Sequence, residues 1–286
     1  MPKGKTRITM TTNPKHDPVT AISEAEATGH IAEIFADIRA TMQIPLITSI
    51  WRTLVDIEDG LEAAWAATRP IYETGQPDAA LQNLKARRPF PSLGPLVPGQ
   101  LESVGVSDDD LPVVRGIVDA YSRSNGLNLI ALMALVTEPN GEPATCPIPP
   151  QPDPWPELPA LLAQSEINPE TWAILQRIKH LGTTRRDPAL ATLWRHLAHW
   201  PALLDLVMTA HISVEKDGAL LESQRCVFDL ARREAESIAH LRPRKIEMPV
   251  EARQMIERYV GSPAAVNAMV TIGHGVAEWL SDSDRE

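Results

Sequence analysis

The feature that most restricts what this chain can fold into is that it repeats itself. Around residue 50 it reads Pro45-Leu-Ile-Thr-Ser-Ile-Trp51-Arg52-Thr-Leu54, and around residue 193 it reads Pro188-Ala-Leu-Ala-Thr-Leu-Trp194-Arg195-His-Leu197. In both copies proline stands six residues before tryptophan and leucine three after it. Upstream, Ile34, Ile38 and Arg39 match Ile174, Ile178 and Lys179 with three extra residues in the second loop, while Leu61 and Leu204 keep one distance from their tryptophans. A second block follows in the same order. Arg115, Ile117, Val118, Tyr121 and Asn128 match Arg253, Met255, Ile256, Tyr259 and Asn267, with one residue inserted before the final asparagine. The period is far longer than that of a solenoid, so the pattern reads as duplication of a whole module.

Between the copies, residues 138–159 carry nine prolines. Proline lacks an N–H and restricts the residue before it, so this stretch reads as a semi-rigid extended connector. Trp155 within it is expected to anchor the connector to a folded surface. The expected organisation is a first helical repeat over 1–137, a Pro-rich linker over 138–159 and a second repeat over 160–286.

The periodicity within each copy is helical. Ile31, Ile34, Phe35 and Ile38 recur at three- and four-residue spacing, as do Leu54, Leu61, Ala64 and Trp65. Asp187-Pro188 and Ser107-Asp-Asp-Asp110 before Leu111-Pro112 read as helix starts, with acidic groups at the positive end of the helix dipole. No Asn-Gly hairpin signal is present, and β-branched runs are short. The expectation is an all-α fold: two tandem homologous helical modules forming an intramolecular pseudo-dimer across a pseudo-two-fold seam.

Composition narrows the function. The formal net charge is −10, which disfavours nucleic acid and anionic membrane surfaces as partners. Cys146 and Cys226 form neither a Cys-x-x-Cys pair nor a disulfide framework. Lys3, Lys5 and Arg7 precede no apolar run, and no segment approaches the ~20 apolar residues of a spanning helix. A cytoplasmic location is expected.

Standard nucleotide, zinc-protease and serine-hydrolase motifs are missing. The densest chemical cluster is Trp194-Arg195-His196-Leu-Ala-His199-Trp200-Pro201. His196 and His199 are three apart and could share a helix face, but a third metal ligand has no recognisable spacing; either could serve as a general base. Trp51-Arg52 and Trp194-Arg195 suggest paired anion-binding arginines. The plainer reading buries each tryptophan and sends its arginine to solvent or a helix C-terminus. Asn125, before Gly126, reads as a turn or helix start, with capping and a water-holding role both open.

The stretches Leu93-Gly-Pro-Leu96, Leu101, Gly105-Val-Ser-Asp108 and Asn125-Gly-Leu-Asn128-Leu resemble the group I 2-haloacid dehalogenases of the DehI type. Leu197-Ala-His199-Trp200-Pro201 is similar to that family's Leu-Ala-Asn-Trp-Pro. The resemblance covers most of the chain, duplication and connector included. It implies an all-α pseudo-dimer with one active site between the halves, hydrolysing the carbon–halogen bond of 2-halocarboxylic acids with no metal, no organic cofactor and no ester intermediate. An aspartate activates water, which attacks the α-carbon and inverts it. Asn125 matches the asparagine that helps hold this water, and Asn128 falls where the family has tyrosine.

Counting back from Trp200-Pro201 puts the family's aspartate on Leu193, which cannot accept a proton. Either Asp187 is the base after a shift, or His199 or His196 has taken the role, or the chain is no dehalogenase. The leading expectation is therefore a dehalogenase-like hydrolase acting on small 2-halocarboxylic acids, with catalytic candidates Asn125, Asp187, His196 and His199. Asn128, Trp51, Trp194 and Arg195 are the expected substrate contacts, and a homodimer is left open. The alternative is a non-dehalogenating binding protein whose apolar pocket is lined by Trp51, Trp194 and Trp200. A third reading rests on the repeated module's resemblance to the AhpD-like helical superfamily, whose redox enzymes need the Cys-x-x-Cys pair missing here.

Overall fold

The computed structural model describes residues 22–183 and 185–281; Lys3, Lys5 and Arg7 lie outside them. Among the described residues there are twelve α-helices and no strand, and no helix is long and apolar enough to cross a membrane. The first half runs α1 (Gly29–Met42), α2 (Ser49–Leu54), α3 (Gly60–Glu73), α4 (Gln76–Ala86), α5 (Gln100–Ser103) and α6 (Asp110–Val136). The second runs α7 (Pro169–Ile178), α8 (Thr192–His196), α9 (Pro201–Lys216), α10 (Ala219–Ile238), α11 (Val250–Val260) and α12 (Val266–Ser281).

Corresponding residues occupy corresponding places. Trp51 and Trp194 sit in the short helices α2 and α8 and are both almost wholly buried. Gly75 and Gly218, each twenty-four residues after its tryptophan, hold φ of 67° and 81° immediately before α4 and α10. That left-handed conformation costs an L side chain free energy and costs glycine none. Ahead of α1 and α7, Glu26 accepts from the backbone N–H of Ser23, and Glu166 accepts from that of Ala163.

The second block differs between halves. Tyr121 and Asn128 lie on one continuous helix of 27 residues, α6. Tyr259 is near the end of α11, and Asn267 is at the start of α12. The inserted residue falls in the break at 261–265, where Gly261 and Pro263 stand; proline cannot donate into a continuing helix.

α6 and α12 cross at the centre of the molecule. A Cβ on Gly273 would come within 2.8 Å of Ser122 Oγ, and one on Gly126 would come within 2.7 Å of Leu81 Cδ1. This corrects the reading of Asn125-Gly126 as a turn or helix start. Both residues lie mid-helix, and glycine is used there for close approach. Ser107 and Asp110 do cap the start of α6 reciprocally: the Ser107 N–H donates to Asp110 Oδ2 at 3.1 Å and the Asp110 N–H to Ser107 Oγ at 3.2 Å. Asp187-Pro188 begins no helix. The chain stays extended to Ala191, with Pro188 and Leu190 buried, and α8 starts at Thr192.

Each hydrophobic core draws on both halves. One joins α1–α4 and the C-terminal part of α6 to α10, α11 and Val270. The other joins the N-terminal part of α6, from Val114 to Tyr121, to α7–α9 and the later residues of α12. The connector is tied to both. Asn140 and Ala144 donate to the carbonyls of Glu236 and Ser237. Cys146 exchanges two hydrogen bonds with the Gln76 side chain, and Trp155 Nε1 donates to the Gln43 carbonyl at 3.2 Å.

Candidate ligand cavity between the two halves

A cavity of about 320 Å³ lies where the halves meet. The first half contributes Thr48, Ser49 and Thr53 from around α2 and Tyr121 and Asn125 from α6. The second contributes the extended segment from Pro188 to Ala191, then Thr192, Leu193 and Trp194 of α8, Arg258 and Tyr259 of α11, and Ala264 to Val266 at the helix break. Thr48 and Ser49 precede Trp51 by the same spacing as Ala191 and Thr192 precede Trp194, and Tyr121 corresponds to Tyr259. Several of its residues thus come in matched pairs. The asymmetry comes from Asn125, facing a side where the other half has only the break.

The walls are mostly apolar, and the polar groups are specific. Tyr259 donates from its hydroxyl to Asn125 Oδ1 at 3.4 Å. Burial pushes the Tyr259 phenol well above its ordinary pKa, so it remains a donor. Asn125 and Tyr259 both line the cavity, so this hydrogen bond lies at its wall. Lys179, Arg185 and Arg258 add positive charge. Among the described lining residues there is no carboxylate and no imidazole.

The residues singled out from sequence divide into those at the cavity and those behind it. Asn125 and Trp194 line it, and so does Leu193, which is 2% exposed. Asn128 lies behind the wall at the centre of a buried network. It accepts from Trp51 Nε1 at 3.1 Å and from the Tyr72 hydroxyl at 2.8 Å, and donates from Nδ2 to Thr48 Oγ1 at 2.8 Å. Thr48 lines the cavity, so Asn128 and Trp51 bear on it through that hydroxyl. Trp200 packs on the second core.

Arg195, His196 and His199 all face the end of the connector. Arg195 donates to the Leu162 carbonyl at 3.1 and 2.8 Å, His196 Nε2 donates to Pro159 at 2.7 Å, and His199 Nε2 donates to Ala160 at 2.9 Å. The expectation that the arginines reach solvent is therefore corrected. Arg52 and Arg195 are each 2% exposed, because each guanidinium satisfies a backbone carbonyl of an extended segment. Asp187 is exposed and ion-paired to Lys179 at 2.8 Å, and the Lys179 hydrogen bond holds its carboxyl below the usual range.

His196 is distinctive among these. It is buried, which lowers its pKa and keeps it neutral. Its Nε2 proton is committed to Pro159, and Nδ1 is buried with no hydrogen-bond partner. Its ring meets the edge of Tyr121, a cavity residue, at 5.8 Å between centroids. No group of three His, Cys, Asp or Glu side chains able to hold a metal comes together among the described residues.

Sequence reasoning missed Thr48, Arg185, Arg258 and Tyr259 as cavity residues. Tyr259 was visible as the partner of Tyr121 in the second block, and its neighbour Arg258 would have followed from it.

An all-α chain with a cavity lined from both parts of its length defines a class, and comparison with known proteins shows what the chain is similar to. No protein-family model matches. Over 208 residues, 68% of both chains, it is 24% identical to a configuration-inverting 2-haloacid dehalogenase of Alcaligenes xylosoxydans xylosoxydans. Over 72 residues, 25% of this chain and 24% of the other, it is 32% identical to an (R)-2-haloacid dehalogenase of Pseudomonas putida. A D-2-haloacid dehalogenase mutant solved in complex with D-2-CPA superposes with a TM-score of 0.67 at 15% identity, covering 92% of this chain and 95% of that one. The same enzyme type solved with L-LA gives 0.63 at 14% identity, over 93% and 94%. The chain is thus a relative of the 2-haloacid dehalogenases in sequence and shares their all-α fold.

Proposed function

We propose that the cavity binds a small 2-halocarboxylic acid and that the chain is a dehalogenase-like hydrolase of an intramolecular pseudo-dimeric type. One observation carries this reading: Asn125 and Leu193, which the sequence resemblance assigns to the water-holding and proton-accepting positions of the group I dehalogenases, line the same cavity from opposite halves. The cations at the wall suit a carboxylate, and the apolar walls suit the carbon–halogen end.

In this reading Asn125, fixed by Tyr259, holds a water against the α-carbon. The water oxygen bonds to that carbon as halide leaves from the opposite side, giving the 2-hydroxy acid with inverted configuration, one halide ion and one proton. Leu193 cannot take that proton. His196 is the candidate acceptor, since its Nδ1 lone pair is unused and its ring meets that of Tyr121, which lines the cavity. Asp187 is less suited, because its lone pairs serve Lys179; His199 is turned to Ala160.

A second reading is favoured by the lack of a carboxylate or imidazole among the described lining residues. It is a carboxylate-binding protein that keeps the fold and has lost hydrolysis. Halide release from 2-chloro- and 2-bromocarboxylic acids separates the two. Release that falls ~10²-fold or more in His196→Ala and Asn125→Ala supports the hydrolase with these roles. Binding of the same acids by calorimetry without any halide release leaves the binding protein.

A further inference from the structure

The charge and the size of the cavity both exceed what a three-carbon haloacid needs. A 2-halopropionate has one negative charge and six heavy atoms in all. The cavity offers about 320 Å³, at the lower end of the ~300–1,000 Å³ of pockets that take drug-sized ligands and equal to the share of ~10 liquid waters. Its lining carries Lys179, Arg185 and Arg258 and no acid among the described residues. Lys179 is already neutralised by Asp187 at 2.8 Å. Arg185 and Arg258 have no ion-pair partner among the described residues, and both are exposed. Two uncompensated guanidiniums on one cavity are forks without a carboxylate, and guanidinium matches carboxylate in a bidentate way.

We infer that the acid this cavity takes is a short-chain dicarboxylate, one carboxylate entering with the reacting carbon and the second held at the mouth by Arg185 and Arg258. This rests on reading the cavity as a carboxylate site. A ligand with a second charge gains at the mouth, where water screens but does not abolish the attraction. A monocarboxylate offers these cations one carboxylate, where a dicarboxylate offers two.

Calorimetric titration of the full chain with succinate and glutarate, against butyrate and valerate of matching length, tests the inference. The dicarboxylates are expected to bind about tenfold or more tightly, a difference of ~1.4 kcal/mol. That advantage is expected to close in the Arg185→Gln/Arg258→Gln double variant and in high salt. Equal affinities for the two classes, or an advantage unchanged in a double variant with intact helical circular dichroism, would overturn it. Absence of binding by every acid would instead overturn the carboxylate reading of the cavity itself.

Discussion

Arg52 and Arg195 perform the same task 143 residues apart. Arg52 Nε donates to the Ile22 carbonyl at 2.7 Å, and Arg195 Nε donates to the Leu162 carbonyl at 3.1 Å. Ile22 stands seven residues before α1, and Leu162 stands seven before α7. Each arginine thus clasps the strand of chain that leads into its own half. The geometry is shared although the residues clasped differ. It also gives the Trp-Arg pair a reason in packing that needs no ligand.

These clasps set the first prediction. Hydrogen bonds to a charged group contribute ~1.5–3 kcal/mol, and removing the donor orphans a carbonyl. Arg52→Met and Arg195→Met should each lower unfolding free energy by about 2 kcal/mol in urea. Being distant, the two effects should add. A change under ~0.5 kcal/mol in both would mean that the clasps are incidental.

The Asn128 network makes a second. Truncating Asn128 to Ala strands the buried Trp51 Nε1 and Tyr72 hydroxyl and leaves Thr48 Oγ1, at the cavity wall, with Ser124 Oγ alone. An unsatisfied buried group costs ~1–3 kcal/mol, so a loss of about 3 kcal/mol is expected after relaxation. Asp should be worse than Ala, since it adds an unpaired buried charge and loses the Nδ2 donor to Thr48. Thermal unfolding of the two variants decides it.

These two features mark the limit of what the sequence discloses. Trp51-Arg52 and Trp194-Arg195 were legible as a repeat because tryptophan spacing is fixed by helix geometry. The acceptors of the arginines were not, because they lie thirty-odd residues away on chain with no pattern of its own. Helical periodicity disclosed the all-α fold. It could not disclose that α6 runs unbroken through Asn125-Gly126, since a glycine used for close approach is spelled like one used for a turn. The single inserted residue before Asn267 coincides with the α11–α12 break, and that break forms a cavity wall. Asn125 was legible through resemblance, while Arg185 and Arg258 needed the fold to bring them together.

Position 193 supports a direct test. Leu193→Asp puts a carboxyl in the cavity at the position where the proposed reading expects a base. If the rest of the site is retained, halide release should exceed that of the wild type by ~10²-fold or more, the usual contribution of a placed base. The carboxyl must be ionised to act, and burial raises its pKa. Release should therefore rise with pH to a plateau. A folded variant no faster than the wild type would remove position 193 from the mechanism.

Histidine burial makes stability pH-dependent. His274 stacks on Phe90 at 4.8 Å, and burial, reinforced by Lys85, lowers its pKa to about 3 from 6.5. Burial also lowers His196 and His211. A depressed folded-state pKa means that the unfolded chain binds the proton more tightly. The stability is present above pH 6.5 and is lost as pH falls from there towards 3. Each pH unit removes about 1.4 kcal/mol per such group, so His274 alone should account for about 2 kcal/mol between pH 7.5 and 5. Asp119 and Glu234, whose pKa values burial raises, act in the opposite sense within the same window, each adding stability as pH falls through its raised folded-state value towards the ordinary carboxyl value. His274→Phe should flatten the profile above pH 5, measured by urea midpoints.

The close packing of α6 against α4 and α12 gives two effects of opposite sign at one residue. Gly126→Ala in a helix interior should stabilise by ~1 kcal/mol through propensity alone. The new Cβ, however, would stand 2.7 and 3.1 Å from the two Leu81 methyls and 3.4 Å from His274 Nε2. Leu81 is 3% exposed and has little room to turn away. Overpacking of this kind costs ~1–3 kcal/mol, so the net change should be destabilising by about 1 kcal/mol. Because Asn125 is the adjacent residue, the same shift should move its amide relative to Tyr259 and weaken ligand binding as well. Gly218→Ala is strained by its φ of 81° but meets no neighbour within 4 Å. It should cost a similar amount of stability and leave binding intact. Calorimetry on both variants at equal loss of stability tells the two apart: equal ligand affinity would mean that the packing around Gly126 does not control the cavity.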